Sequence, residues 1–296
     1  YCHRNFPESK FARIVDKAQI KEMFQFAFWN LFGNMAAIAC TPVLNLFLNM
    51  FFGPIVNAAR GIAVQVQSVV QGFISNFQLA VIPQITKSYA TGELRRMQKL
   101  IITSSKFSYF LFFFIALPLT LEAEQVLTLW LGEVPEHTIE FVRITMLIML
   151  VSSWIQPLHT ANLATGKVKK FQMWRGAVMF LMLPISYFAL KAGAEPEIVF
   201  VVQLIVRFAA QIVMLFIIRP LIQLSLREYF TEVFFRPGLV SILAAIPAYV
   251  TYHLLPVNIW TLFVVCVASV IFTALFVYFL GLNRKEKMLV ISYVKP

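Results

Sequence analysis

Eight apolar stretches, at about 23–50, 56–86, 107–131, 141–163, 171–190, 197–218, 238–255 and 258–281, alternate with short connections, and the basic residues collect in every second connection. Connections 1–22, 87–106, 164–175, 219–236 and 282–296 hold 21 of the 25 Lys and Arg residues. The intervening ones hold only Lys191, beside Glu133, Glu136, Glu140, Glu195 and Glu197. Apolar segments of about 20 residues match a hydrocarbon core about 30 Å thick. An excess of Lys and Arg on the cytoplasmic side is what orients helices during insertion. One choice of sidedness satisfies the whole pattern. The chain is expected to be an all-α polytopic membrane protein of about eight transmembrane helices, with both of its ends cytoplasmic.

A composition that is 59% hydrophobic and 13% charged excludes an ordinary soluble domain. In a soluble protein the net charge of +11 would suggest nucleic acid; here its one-sided distribution explains it, and no nucleic-acid partner is expected. Cys2, Cys40 and Cys266 form no CxxC pair, and His3, His137, His159 and His253 lie far apart. Neither metal nor cofactor is expected. The opening 1–22 reads as a basic cytoplasmic connector entered from an upstream segment. Residues 23–220 read as a six-helix lobe, 221–236 as an amphipathic linker in the cytoplasmic interface ended by Arg236-Pro237, and 237–296 as a helical hairpin with a cytoplasmic tail. Residues 92–103 read as a second interfacial helix, with Leu94, Met97, Leu100 and Ile101 on its apolar face.

Several stretches carry polar stripes. In the first, Asn30, Asn34, Thr41, Asn45 and Asn49 fall within about 100° of arc at 100° per residue, with Pro42 placed to kink the helix. In the second, Arg60, Gln67, Gln71, Ser75 and Gln78 fall within about 80°. Ser152, Gln156 and His159 form a shorter stripe, and Gln203, Arg207 and Gln211 stack at i, i+4, i+8. A charge at the centre of a lipid-exposed helix costs at least ~2.5 kcal/mol, so these faces are expected to meet one another or a wet cavity. The plainer reading of any single Asn or Gln is interhelical hydrogen bonding worth about 1 kcal/mol. Arg143 reads as a snorkelling or Glu-paired residue, and Glu122 and Glu124 as solvated at the outer edge. No arrangement for nucleophilic, metal or phosphate-loop chemistry occurs, and no stretch carries a carboxylate near its middle. The chain is not expected to be an enzyme. A polar, cationic interior without acids suits the passage of an anionic substrate.

The strings TPVLNLFLNMFFGPIVNAARGIAVQVQSVV, LAVIPQITKSYATGE, VLTLWLG and ANLATGK, together spanning about 42–167, resemble the oligosaccharide (O-antigen, Wzx-type) flippases of the MATE-like superfamily. In that family a proline-bearing helix runs to an outer Phe-Gly turn, and the next helix ends at Pro-x-Ile followed by Tyr-Ala-x-Gly, here Pro83, Ile85, Tyr89, Ala90 and Gly92. Where many members carry Gly-x-Tyr after the turn, this chain reads Asn57-Ala58-Ala59-Arg60, a departure that leaves the sugar open. The resemblance implies two six-helix lobes facing across a cavity, of which this chain is the second with a final hairpin; the partner would be the missing N-terminal lobe of the same protein. It also implies a bacterial cytoplasmic (inner) membrane, surrounding membrane lipids, and an undecaprenyl-pyrophosphate-linked oligosaccharide moved by alternating access in polysaccharide or O-antigen biosynthesis. Arg60 looks like the counterpart of an arginine on the equivalent helix of the related lipid II flippase. On that basis Arg60 and Arg207 would attract pyrophosphate, and Gln67, Gln71, Gln78, Asn30, Asn34, Asn45 and Asn49 would meet sugar hydroxyls. Pro42 would be a hinge.

Other readings stay open at this point. An ion-coupled multidrug exporter of the same superfamily would favour an embedded acid. A polysaccharide polymerase or ligase would favour a large outer loop, and a purely structural scaffold would not need two polar stripes.

Overall fold

A computed structural model describes residues 16–256, 258–284 and 286–288, and the side chains of 36 and 37 are not described. Residues 1–15 of the expected connector and 289–296 of the expected tail therefore lie outside the described residues. The described chain is almost wholly helical: α1 (Lys17–Phe52), α2 (Pro54–Ala90), α3 (Leu94–Leu121), α4 (Ala123–Leu131), α5 (Thr138–Ser152), α6 (Ile155–Ala164), α7 (Val168–Phe180), α8 (Met182–Lys191) and α9 (Ile198–Ile222). Then come α10 (Leu226–Tyr229), a π-helical segment Phe230–Phe235, α11 (Arg236–Leu254), α12 (Ile259–Phe276) and a second π-helical segment, Val277–Gly281. Among the described residues there is no strand.

Seven helical stretches are long and apolar enough to cross a membrane: 17–52, 94–121, 138–164, 168–191, 198–222, 226–254 and 259–281. The molecule is a multi-pass membrane protein by these lengths and compositions. α2, expected as the second of eight crossings, is not among the seven. Its 37 residues span about 55 Å at 1.5 Å each, but Arg60 and a run of glutamines lower its hydropathy.

Local signals set the ends. Asp16 caps α1, its carboxylate accepting from the backbone N–H of Ala18 at 2.8 Å. Gly53, at φ +83°, adopts the left-handed backbone that a side chain would resist, and Pro54 then opens α2 where a missing N–H costs nothing. Gln98 of α3 donates to the carbonyls of Ile222 (2.8 Å) and Gln223 (3.0 Å), satisfying the end of α9.

α3 is the central helix. It packs against α2, α5, α6 and both helices of the hairpin, and Phe110, Phe112 and Ala116 on it are buried. The main apolar core joins Met97 and Ile101 of α3, Trp154, Ile222 of α9, Val233, and Val240 and Ala244 of α11. Two expectations are corrected here. Residues 92–103 are not a separate interfacial helix; from Leu94 they are the first turns of α3, because the Met97/Ile101 face packs into protein. Nor does Arg236-Pro237 break the chain. The π-segment before it widens the helix by one residue, so Pro237, which has no N–H, is passed without a break, and 226–254 runs as one stretch. Tyr229 and Val233 are fully buried, so this linker belongs to the core.

Contacts gather the basic connections at one end. The start of α1 meets the 166–170 loop and the end of α9 around a shared groove of about 480 Å³. Lys169 lies over the Trp29 ring at 5.1 Å. Lys106 reaches Glu286 at 2.7 Å and Glu232 at 3.3 Å. At the other end, His137 contacts Glu197, joining the connections before α5 and α9.

Candidate functional site

The densest polar grouping in the bundle lies among α1, α5, α6, α7 and α9. Two of its members, Gln172 and Arg175, sit three residues apart on α7, with Gly176 one position further on the same face. Gln172 is completely buried. Its amide donates to Asn30 Oδ1 at 2.9 Å and lies 3.4 Å from His159 Nε2. Asn34 donates to the same Asn30 oxygen at 3.3 Å. Gly33 makes this approach possible: a Cβ there would come within 2.3 Å of Gln172 Oε1 and 2.9 Å of its Cβ. α1 and α7 are the most extensively packed helix pair of the fold.

The cationic part adjoins it. Arg207 Nη1 donates to Ser152 Oγ at 3.4 Å, and Gln211, one turn on, donates to the Val151 carbonyl. Arg175 shares α7 with Gln172, and Arg207 shares α9 with Gln211. Arg207 Nε and Arg175 Nη1 are buried without a hydrogen-bond partner. Among the described residues neither arginine forms an ion pair. Two guanidinium groups with no acidic partner among the described residues, one of them on the Ser152 hydroxyl, leave net positive charge in the bundle, where a low dielectric strengthens it.

The expected stripe residues divide among different surroundings. Asn30 and Asn34 join the cluster. Gln71 and Gln78 line a cleft of about 150 Å³ together with Ser152, Ser153 and Gln156, and Gln78 also donates to Ser108 Oγ of α3 at 3.4 Å. Gln67 and Asn45 are half-buried, while Asn49 and Pro42 lie on the exposed side, with α1 continuous through Pro42. The residues of the two long stripes thus lie in several different surroundings.

Arg60 does not join the cluster. It is 4% exposed, beside the core of Val56, Ala59, Ala63, Phe141 and Val142, and its Nη1 has no partner. Arg143 forms no ion pair with Glu among the described residues: its Nε donates to the Thr120 carbonyl at 3.2 Å, near the end of α3 where carbonyls lack helical partners. Glu122 was expected to be solvated and is instead 1% exposed.

Sequence reasoning missed Gln172 and Arg175, since both follow Lys169 and Lys170 and merge into a basic connection. Their spacing with Gly176 was the available signal. Compared with protein-family models, curated proteins and solved structures, the chain matches none.

Proposed function

We propose that this chain is the second half of a lipid-linked oligosaccharide flippase of a bacterial cytoplasmic membrane, with α2 as an eighth crossing and the final hairpin appended to a six-helix lobe. The observation that carries the reading is the Arg175–Arg207 pair. Two half-buried cations with no acidic partner among the described residues, Arg207 on Ser152 and Arg175 on the helix whose Gln172 meets Asn30, form an interior suited to a diffuse anion such as pyrophosphate. Guanidinium groups pair bidentately with phosphate oxygens, while each amide contact contributes only about 1 kcal/mol and is readily exchanged. A carrier needs both features, because it must release what it binds. In this reading Arg207 is the principal head-group ligand and Arg175 its companion. Arg60 reaches substrate only after the helices around it part, and Asn45, Asn49, Gln67, Gln71 and Gln78 offer contacts to sugar along the path.

The test is export in a strain lacking its own flippase, supplied with this chain and a facing first lobe. Arg207→Ala should lower surface polysaccharide per unit of folded protein by tenfold or more, about 1.4 kcal/mol of lost binding. Arg207→Lys should retain part of the activity. Normal export by Arg207→Ala at matched protein level would sink the proposal. Normal export by Arg60→Ala would remove Arg60 from the head-group role.

A further inference from the structure

The opposite end of the molecule from the basic connections holds a second polar feature, unconnected with the arginine cluster. α3 stops at Leu121 and α4 begins at Ala123, so Glu122 occupies the break between them. Its backbone is satisfied: the N–H donates to the Pro118 carbonyl at 2.9 Å, and its own carbonyl accepts from Val126 at 2.9 Å. The side chain is not. Glu122 is 1% exposed, and Oε2 has no hydrogen-bond partner. Glu122 shares this junction with Tyr252 of α11 and with Asn258 and Ile259 at the start of α12.

A cavity of about 420 Å³ opens at this junction. Leu121, Leu129 and Ile259 wall it, the Tyr252 ring lies on one side, and Gln125 and Asn258 supply amides. The exposed Glu124 also lines it, and none of the described lining residues is basic. A carboxylate largely removed from water, with no cation or donor on it among the described residues, is unfavourable, so it holds a proton or takes up a positive ligand. The volume falls in the range of small-ligand sites, which are typically apolar with a few placed polar groups.

We propose that Glu122 and this cavity form a binding site for a lipophilic monocation, an ammonium group carried on an aliphatic body. The ammonium pairs with the Glu122 carboxylate and faces the Tyr252 ring, where a cation over an aromatic surface is attracted further. The aliphatic part lies along Leu121, Leu129 and Ile259. Glu124 adds negative potential at the cavity, and between binding events Glu122 holds a proton. The same chemistry is offered by a free lipophilic amine and by the ammonium headgroup of a membrane lipid.

The experiment uses the full chain in nanodiscs of phosphatidylglycerol, which carries no amine. Dicyclohexylcarbodiimide, which modifies protonated carboxyl groups shielded from water, is added, and the modified residue is mapped by mass spectrometry. Glu122 should be labelled. Dodecyltrimethylammonium, a cation that cannot attack the activated carboxyl, should at ten times its Kd lower that labelling about tenfold, while dodecanol at the same concentration should not. Replacing half of the lipid with phosphatidylcholine tests the headgroup: protection in that arm assigns the ligand to the bilayer, and protection by dodecyltrimethylammonium alone assigns it to free lipophilic cations. The mapping is made on the unsubstituted chain, so it does not depend on whether Glu122→Gln folds. An unlabelled Glu122, labelling unchanged by both ammonium compounds, or equal protection by dodecanol would each overturn the proposal.

Discussion

Lys106 illustrates how far a residue's surroundings can depart from its sequence neighbourhood. By position it belongs with the cations of the 87–106 connection, yet it is buried between Glu286 and Glu232, 2.7 and 3.3 Å away. Glu232 is shared with Arg236 at 2.9 Å, and Asn283 donates to the same carboxylate at 3.1 Å. Two cations balance two anions, and the cluster joins α3, the π-segment and the end of the hairpin. Lys106→Met should destabilise the folded protein by roughly 3 kcal/mol, the low end for breaking a buried pair, because Glu232 keeps Arg236. Adding Glu286→Gln should recover part of the loss. Thermal unfolding of the purified protein in detergent measures both; an unchanged melting temperature in Lys106→Met would contradict the assignment. Arg175, Gln172 and Glu122 were misplaced in the sequence for the same physical reason. Hydropathy registers what precedes and follows a residue along the chain, whereas burial depends on which helix face approaches it.

At the scale of elements, the alternation of apolar stretches located the helices well and divided them less well. The expected spans 141–163, 171–190 and 197–218 lie inside 138–164, 168–191 and 198–222, save for a residue at the last boundary. The third span is differently built: its helix starts at Leu94 and is interrupted at Glu122. The hairpin, expected as an appended unit, shares the main core with the lobe. Tyr109 and Ser241 are 2.9 Å apart across α3 and α11, and a Cβ on Gly281 would come within 2.8 Å of Phe110. In a bilayer lipid tails replace lost apolar contacts, so polar links and close packing matter most. Removing residues 226–296 would leave Lys106 without either carboxylate and Tyr109 without Ser241. The loss is of order 4 kcal/mol, comparable with much of a marginal protein's stability. The truncated chain should lose its monodisperse peak in fluorescence-detected size exclusion. Recovery of that peak at normal yield would show that the hairpin is dispensable.

For the whole molecule, the decisive property is the separation of its two ends. Connections rich in Lys and Arg meet around Trp29, Lys106 and Gln98, and acidic connections meet at the His137–Glu197 contact. In a version with its native cysteines replaced, single cysteines at Glu136 and Glu195, both exposed, should react with an impermeant thiol reagent added outside intact cells. Cysteines at the exposed Thr91 and Lys169 should react only after the membrane is opened. Reaction of the second pair from outside would invert the orientation. By itself the sequence determined that the chain is helical, that it crosses a membrane many times and which connections lie together, because segment length, apolarity and charge act locally and survive averaging along the chain. Only the tertiary structure decided which polar groups meet. It drew Asn30 to Gln172 across 142 residues, set Arg207 against Ser152, closed Arg60 into packing and left Glu122 facing a cavity. Those partnerships depend on the rotation and approach of helices, which are set by close packing at positions such as Gly33 and are not encoded in any single stretch.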